Sequence, residues 1–313
     1  MKDSMDRIAV LFPGQGSQYV GMGADLHRNC REVQELFDEA SSILGMDMKR
    51  LCFSGPNETL RETANAQPAV TLVNAACFTV LKKEGICPYS AAGHSLGEYA
   101  ALYAAGSVGF RDLMELVRLR GIFMQEAAQG NPGGMLAVIG LGLEKIRDVC
   151  GETAVEIANY NSPGQTVLTG EARPLEEAAK LAKKAGAKLL VPLKVSGPWH
   201  SHLMQRASEK MAEALKTRDI APPSIPVVAN LTAKCERDPE AIKKNLVGQI
   251  TSPVMWTDSV ERLVNDGHTL FVEAGPGKVL KGLMREIDRN IRAFNVEDMD
   301  TLKKMRSEFA GKD

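Results

Sequence analysis

The sequence predicts an α/β protein in which a smaller βαββαβ unit is inserted into a larger one, and three observations carry that prediction. Apolar runs of strand length alternate with helical patterns along the chain, an order that folds into a sheet covered by helices. A breaker cluster, Gly130-Asn131-Pro132-Gly133-Gly134, interrupts the rhythm, and a second one, Gly197-Pro198, restores it. Between the two clusters the order of the runs changes. The expected division is residues 1–130 and 196–313 for the large unit and residues 131–195 for the insert.

Taken in order, the apolar run 8–12 reads as the first strand and leads into the turn-rich Pro13-Gly14-Gln15-Gly16-Ser17-Gln18. Helices are expected over 32–44 and 69–84, the second with Pro68 in its first turn and Gly85 just past its end. A long helix over 111–128 runs into the first breaker cluster. The insert reads as strand 135–140, helix 143–150, strands 155–159 and 166–169, helix 174–185 and strand 188–193. That is the split order of a ferredoxin-like unit. The large unit resumes with helix 203–215, strand 225–229, helices 239–248 and 258–265, and strand 269–273. A helix over 277–287 follows Gly275-Pro276, strand 291–296 closes the pattern, and a polar, fraying tail helix ends it.

Hydrophobic residues at 44% and charged residues at 25% are ordinary for a globular protein. A formal net charge of −1 gives no basic field to gather nucleic acid or a membrane surface, so neither is an expected partner. Six cysteines are scattered with no C-x-x-C pair, and several fall in apolar helical patterns. They read as free buried thiols in a reducing compartment rather than disulfides or a metal site. The run 8–12 is too short for a signal-peptide core, and no window reaches membrane-spanning length. A cytoplasmic monomer without metal or resident cofactor is expected.

Gly93-His94-Ser95-Leu96-Gly97 fits G-x-S-x-G, the tight strand-to-helix turn that exposes a serine hydroxyl. Side chains at the flanking positions would crowd the turn, and the N–H of Leu96 is left to bind an oxyanion. Ala91-Ala92 lead in, and an Ala-rich helix leads out. Ser95 is therefore the candidate nucleophile. Its base comes from five histidines. His27 and His268 sit in polar contexts and read as surface residues, while His94 points away across the turn and reads as a packing residue. His200 and His202, after Gly197-Pro198 and at a helix start, both remain candidates. Glycines 14, 16 and 21 miss the G-x-G-x-x-G spacing, so 13–18 reads as an anion-binding turn rather than a dinucleotide fingerprint. Arg118 and Arg120, near Glu115 and Glu126, read by themselves as a solvated charged face.

Beyond these readings, several motifs resemble the malonyl-CoA:acyl-carrier-protein transacylases. They are Phe12-Pro13-Gly14-Gln15-Gly16-Ser17-Gln18, Gly93 to Tyr99, Arg120-Gly121-Ile122-Phe123-Met124-Gln125 and Asn159 to Gln165. The loop around His200 and Glu273 to Leu280 complete the set, in the family's order and over nearly the whole chain. The resemblance implies an α/β-hydrolase-like core carrying the ferredoxin-like insert. It implies Ser95 as nucleophile, His200 as general base and the backbone N–H groups of Gln15 and Leu96 as the oxyanion hole. It implies that Arg120 clamps the malonyl carboxylate with its fork, and that the backbone carbonyl of Gln249 orients His200 in a Ser–His dyad. Malonyl-CoA and an acyl carrier protein are the implied partners, the coenzyme A thioester being substrate rather than cofactor. Trp199 departs from the pattern, since relatives carry a smaller or different residue before the histidine.

Three classes of function compete at this point. Ping-pong malonyl transfer uses every motif and feeds fatty acid or polyketide synthesis. A hydrolase of the same fold would leave the Arg120 guanidinium without a partner. A non-enzymatic carrier-binding module would not need a serine, base and oxyanion set.

Overall fold

The computed structural model describes residues 7–310; residues 1–6 and 311–313, the ends expected for the large unit, lie outside the described residues. Ten strands are described: β1 Ile8–Phe12, β2 Ser90–Gly93, β3 Gly133–Ile139, β4 Glu156–Ser162, β5 Gln165–Glu171, β6 Leu189–Pro192, β7 Val227–Val228, β8 Cys235–Glu236, β9 Leu270–Ala274 and β10 Arg292–Val296. They form a six-stranded sheet in the order β10-β9-β1-β2-β7-β8 and a four-stranded sheet in the order β4-β5-β3-β6. The protein is thus a mixed α/β fold.

In the larger sheet every pairing is parallel except β7 with β8. Strands of such a sheet are covered on both faces and read as continuous apolar runs. β1 shows why: Val10 and Phe12 join one core cluster, while Ala9 and Leu11 join another that contains Trp256. The alternation expected of any strand is present, but both faces are apolar. The smaller sheet is antiparallel throughout. Helices Leu143–Thr153 and Ala172–Lys184 pack on it through Ile146, Val149, Ala178 and Ala182.

Most expected elements lie where the sequence puts them, with ends moved by a few residues. Three differences have clear causes. The helix expected from 69 begins at Thr63 and runs to Lys83, so Pro68 lies in its interior rather than its first turn. A proline there cannot donate to the carbonyl of Ala64. Arg118 Nη1 donates to that carbonyl instead, and Ala64 N–H donates to Gln125 Oε1 at 3.0 Å. Arg118, on the neighbouring helix Phe110–Gly130, thus replaces the donor that proline removes, while Gln125 of the same helix takes a free N–H at the helix start. The tail helix Met299–Ala310 buries Leu302 and Met305, so it packs rather than frays. His268 is buried, with Nδ1 at 2.9 Å from the carbonyl oxygen of Leu263, and His27 packs edge-on against Phe37 and Phe53. Neither is the solvated residue that its polar sequence context suggested.

All six cysteines are free. No helix among the described residues is long and apolar enough to cross a membrane.

Candidate active site

The turn from β2 into helix Gly97–Ala104 holds Ser95 at φ 50°, a left-handed conformation that non-glycine residues rarely adopt. Its neighbours explain how the turn closes. A Cβ on Gly93 would stand 2.0 Å from the carbonyl of Gly97, and one on Gly97 would stand 2.0 Å from the carbonyl oxygen of Phe12. Both positions exclude any side chain, as the elbow reading requires. The strained residue is held from both sides. Its N–H donates to Asn230 Oδ1 at 2.5 Å, and its carbonyl accepts from Gln249 Nε2 at 3.0 Å.

Ser95 Oγ lies 2.8 Å from His200 Nε2. His200 is 3% exposed, sits at φ 61°, and places Nδ1 at 2.8 Å from the backbone oxygen of Gln249. That carbonyl can only accept, so Nδ1 carries the proton and Nε2 is left as the acceptor facing Ser95. Burial, with the Arg120 charge second, pushes the His200 imidazolium down to about 3. The ring is neutral around pH 7 and free to take a proton. His202, by contrast, is exposed and pairs with Glu156. Tertiary structure therefore separates two histidines that their local contexts left open, and places beside Ser95 the one that the resemblance implies.

Arg120 is 1% exposed, and burial lowers its pKa from the ordinary value. Nη2 donates to Ser95 Oγ at 3.1 Å and to Gln249 Oε1 at 2.9 Å, while Nη1 donates to Gln67 Oε1 at 3.0 Å. The guanidinium also lies 5.6 Å from the Tyr99 ring centroid. The solvated charged face read from the helix alone is therefore wrong. Arg118 is half-buried on the Ala64 carbonyl, and Arg120 faces inward to the serine.

The loop 13–18 lies across the elbow so closely that a Cβ on Gly14 would meet the carbonyl oxygen of His94 at 2.4 Å. Asn74 Nδ2 holds it through the Pro13 carbonyl at 3.0 Å, and Gln15 Nε2 donates to Thr63 Oγ1 at 3.0 Å. The N–H groups of Gln15 and Leu96 have no acceptor among the described residues. His94 packs at a tilt against the Trp256 ring, centroids 5.4 Å apart, and places Nε2 at 2.9 Å from Asn161 Oδ1, tying the elbow to β4.

These residues surround a cavity of about 430 Å³ between the two sheets. Ser95, His200 and Arg120 form its floor, Met135, Ala137 and Val167 of the smaller sheet give an apolar wall, and Trp199 adds an indole. Arg61 and Lys194 also line it and are exposed. A cavity of this kind can hold an acyl group on a serine, with an arginine for any carboxylate the acyl group carries.

Sequence reasoning missed three participants. Glu98, Asn230 and the side chain of Gln249 join in one buried hydrogen-bond network around Ser95. Glu98 carried a signal, an acidic residue three positions after the serine in an otherwise apolar helix. Asn230 carried none, since it approaches from 135 residues away.

The family model for the acyl transferase domain matches residues 10–310. The malonyl CoA-acyl carrier protein transacylase of Bacillus subtilis (strain 168) is 43% identical over 303 residues, covering 95% of this chain and 96% of that protein. Its namesake in Escherichia coli (strain K12) is 44% identical over 288 residues, with 90% and 93% covered. Among solved structures, an acyl carrier protein S-malonyltransferase from Vibrio cholerae O1 superposes with a TM-score of 0.93 at 42% identity, covering 96% of this chain and 99% of that one. A malonyl-transacylase in complex with its type II PKS acyl-carrier protein superposes with a TM-score of 0.94, also at 42% identity over 96% and 99% of the two chains.

Proposed function

The chain belongs to the malonyl CoA-acyl carrier protein transacylases, within the acyl transferase family, and from that premise we propose how its cavity works. It transfers malonyl from malonyl-CoA to the phosphopantetheine thiol of an acyl carrier protein, supplying fatty acid biosynthesis. The transfer passes through a seryl ester on Ser95. One observation carries the reading: Ser95 Oγ is bonded to His200 Nε2 at 2.8 Å and to Arg120 Nη2 at 3.1 Å. A nucleophile, a neutral base and a carboxylate-binding cation meet at one atom.

In the first half-reaction Ser95 Oγ attacks the thioester carbonyl and its proton passes to His200 Nε2. The backbone N–H groups of Gln15 and Leu96 take the oxyanion, consistent with their having no other acceptor. Collapse breaks the C–S bond, and the protonated His200 returns its proton to the leaving thiolate of coenzyme A. In the second half the carrier thiol gives its proton to His200, its sulfur attacks the ester, and Ser95 Oγ leaves with that proton. The carbonyl of Gln249 holds the imidazole in the tautomer both halves need. No resident cofactor enters either step.

Arg120 supplies the selectivity. A malonyl carboxylate entering the cavity loses its hydration and recovers that free energy from a paired guanidinium. Donors that now face Ser95 Oγ and Gln67 Oε1 are the ones within reach of it. A hydrolase of neutral esters would have no use for this charge. Arg61 and Lys194 at the rim suit the phosphates that coenzyme A and the carrier's prosthetic arm have in common. We read the larger sheet as an α/β-hydrolase-like core, formed by residues 1–130 and 196–313, and the smaller as a ferredoxin-like insert, residues 131–195. The strand order β4-β5-β3-β6 and its two helices support that reading. We read the protein as a monomer working in the cytoplasm. The decisive experiment mixes the protein with malonyl-CoA and holo carrier protein and weighs both proteins. One malonyl group on each, in that order, is the expected result.

A further inference from the structure

Glu98 is a 3% exposed carboxyl group that the chemistry above leaves unused. Its Oε2 accepts two hydrogen bonds, from Gln249 Nε2 at 2.6 Å and from the Asn230 backbone N–H at 3.1 Å. Each of those donors' residues also grips Ser95. Asn230 Oδ1 accepts the Ser95 N–H, and Asn230 Nδ2 is fixed on the Gly93 carbonyl at 2.6 Å. Gln249 Nε2 donates to the Ser95 carbonyl, while its Oε1 accepts from Arg120. One carboxylate oxygen is therefore the shared anchor of the nucleophile's backbone and of the substrate-binding cation.

The two ends of a glutamine amide have nearly the same shape, so packing alone does not choose its orientation. Here chemistry does. A carboxylate and a carbonyl, both acceptors, lie on one side, and a guanidinium, donor only, lies on the other. Turned over, the amide would oppose like to like at three contacts, in a site where unpaired polar groups are costly.

We propose that Glu98, as a carboxylate, is a positioning residue for malonyl transfer. It locks the amide of Gln249 and, through it and Asn230, holds Ser95 in its elbow conformation and Arg120 against the reacting oxygen. The proposal rests on the transacylase reading and adds to it a group that touches no substrate. The charged and titratable groups around Glu98 are few. Arg120 acts on it from helix Phe110–Gly130, and Tyr99 adjoins it on its own helix. Glu236 of β8 faces it across a cavity of about 10 Å³, room for a single water. Burial dominates these influences and lifts the carboxyl to about 7, against the pull of its two hydrogen bonds and of Arg120. His200, held far lower, does not titrate in that range.

The test is the rate of malonyl loading on Ser95 from malonyl-CoA, followed by quench and intact mass, across about pH 5 to 9. No thiol attacks in this half-reaction, so none contributes a limb. The wild-type rate should fall below about pH 7, approaching tenfold per unit. E98Q should be flat in pH and slower than the wild-type plateau, and E98A should lose on the order of 10²-fold. Both variants should also narrow the preference for malonyl- over acetyl-CoA, which a merely fold-stabilising residue would not move. A flat wild-type profile, a limb that persists in E98Q, or an unchanged acyl preference in both variants overturns the proposal. Should E98Q fail to fold, E98A carries the test: loss of the limb together with a narrowed acyl preference supports the role, and a limb that persists in E98A overturns it. If wild type takes no malonyl at any pH, it is the transacylase reading that fails.

Discussion

Arg120 and Ser95, 25 residues apart, meet at 3.1 Å with the guanidinium donating to the hydroxyl oxygen. The same oxygen faces His200 Nε2 at 2.8 Å. Ser95 Oγ thus faces a neutral base while accepting from a cation, a pairing that, in the proposed reaction, would stabilise charge building on the oxygen. The contact also means that a substrate carboxylate bound by Arg120 lies beside the nucleophile. In the proposed reaction one side chain thus serves both positioning and selection.

Arg120→Ala should depress kcat/KM for malonyl-CoA strongly, while acetyl-CoA, which needs no counter-ion, loses little or gains. Arg120→Lys should recover only part, because it keeps the charge without the fork. Kinetics on both thioesters with both variants decide the matter. Equal losses for the two substrates would make Arg120 structural.

Ser95→Ala should abolish the acyl-enzyme and leave thermal unfolding unchanged, since it removes one hydroxyl from a cavity floor. Intact mass after exposure to malonyl-CoA is the measurement, and an adduct on the variant would refute the nucleophile assignment.

His200→Ala should cost about 10² to 10⁴ in kcat, the usual loss of a general base. His202→Ala should cost little, because that ring is exposed and engaged with Glu156. A loss at 202 equal to that at 200 would mean the dyad is misassigned.

Trp199 is buried against the cavity and supplies part of its wall. An indole there leaves little room for a branch next to the thioester, so malonyl-CoA should be preferred over methylmalonyl-CoA by about 10- to 200-fold. Trp199→Phe should narrow the gap. Comparable kcat/KM for the two substrates in wild type would show that the indole does not limit the pocket.

Glu98 carries an opposite prediction for stability. Its folded pKa of about 7 lies above the unfolded value, so folding favours the protonated form. That contribution is complete below about pH 4.3 and is lost as pH rises through about 7. E98Q removes the titration and should therefore melt higher than wild type at pH 8, with the gap closing toward pH 4. Calorimetry across that range checks it. A stability gain paired with slower loading would mark a buried charge kept for function.

How far the site was legible varies residue by residue. The elbow was readable because glycines at 93 and 97 are a local steric requirement, visible in five consecutive letters. The helix Thr63–Lys83 was misplaced at its start because Pro68 is a local stop signal, and its remedy, Arg118, lies on another helix. Arg120 read alone as a surface charge for the same reason. Helical spacing says which residues share a face, not what that face meets.

By itself the sequence determined the alternation of strands and helices and the glycine-flanked turn at Ser95, and by resemblance it pointed to residues 120, 200 and 249. These follow from short-range sterics and periodicity, or from motifs that keep their order along the chain. Only the tertiary structure set His200 against Ser95 while leaving His202 exposed, buried Arg120, and joined Glu98, Asn230 and Gln249 around one peptide. Those outcomes depend on desolvation and on donors meeting acceptors across more than a hundred residues of chain, as Ser95 and Asn230 do. No local pattern encodes such a meeting; the packed sheet and its helices bring it about.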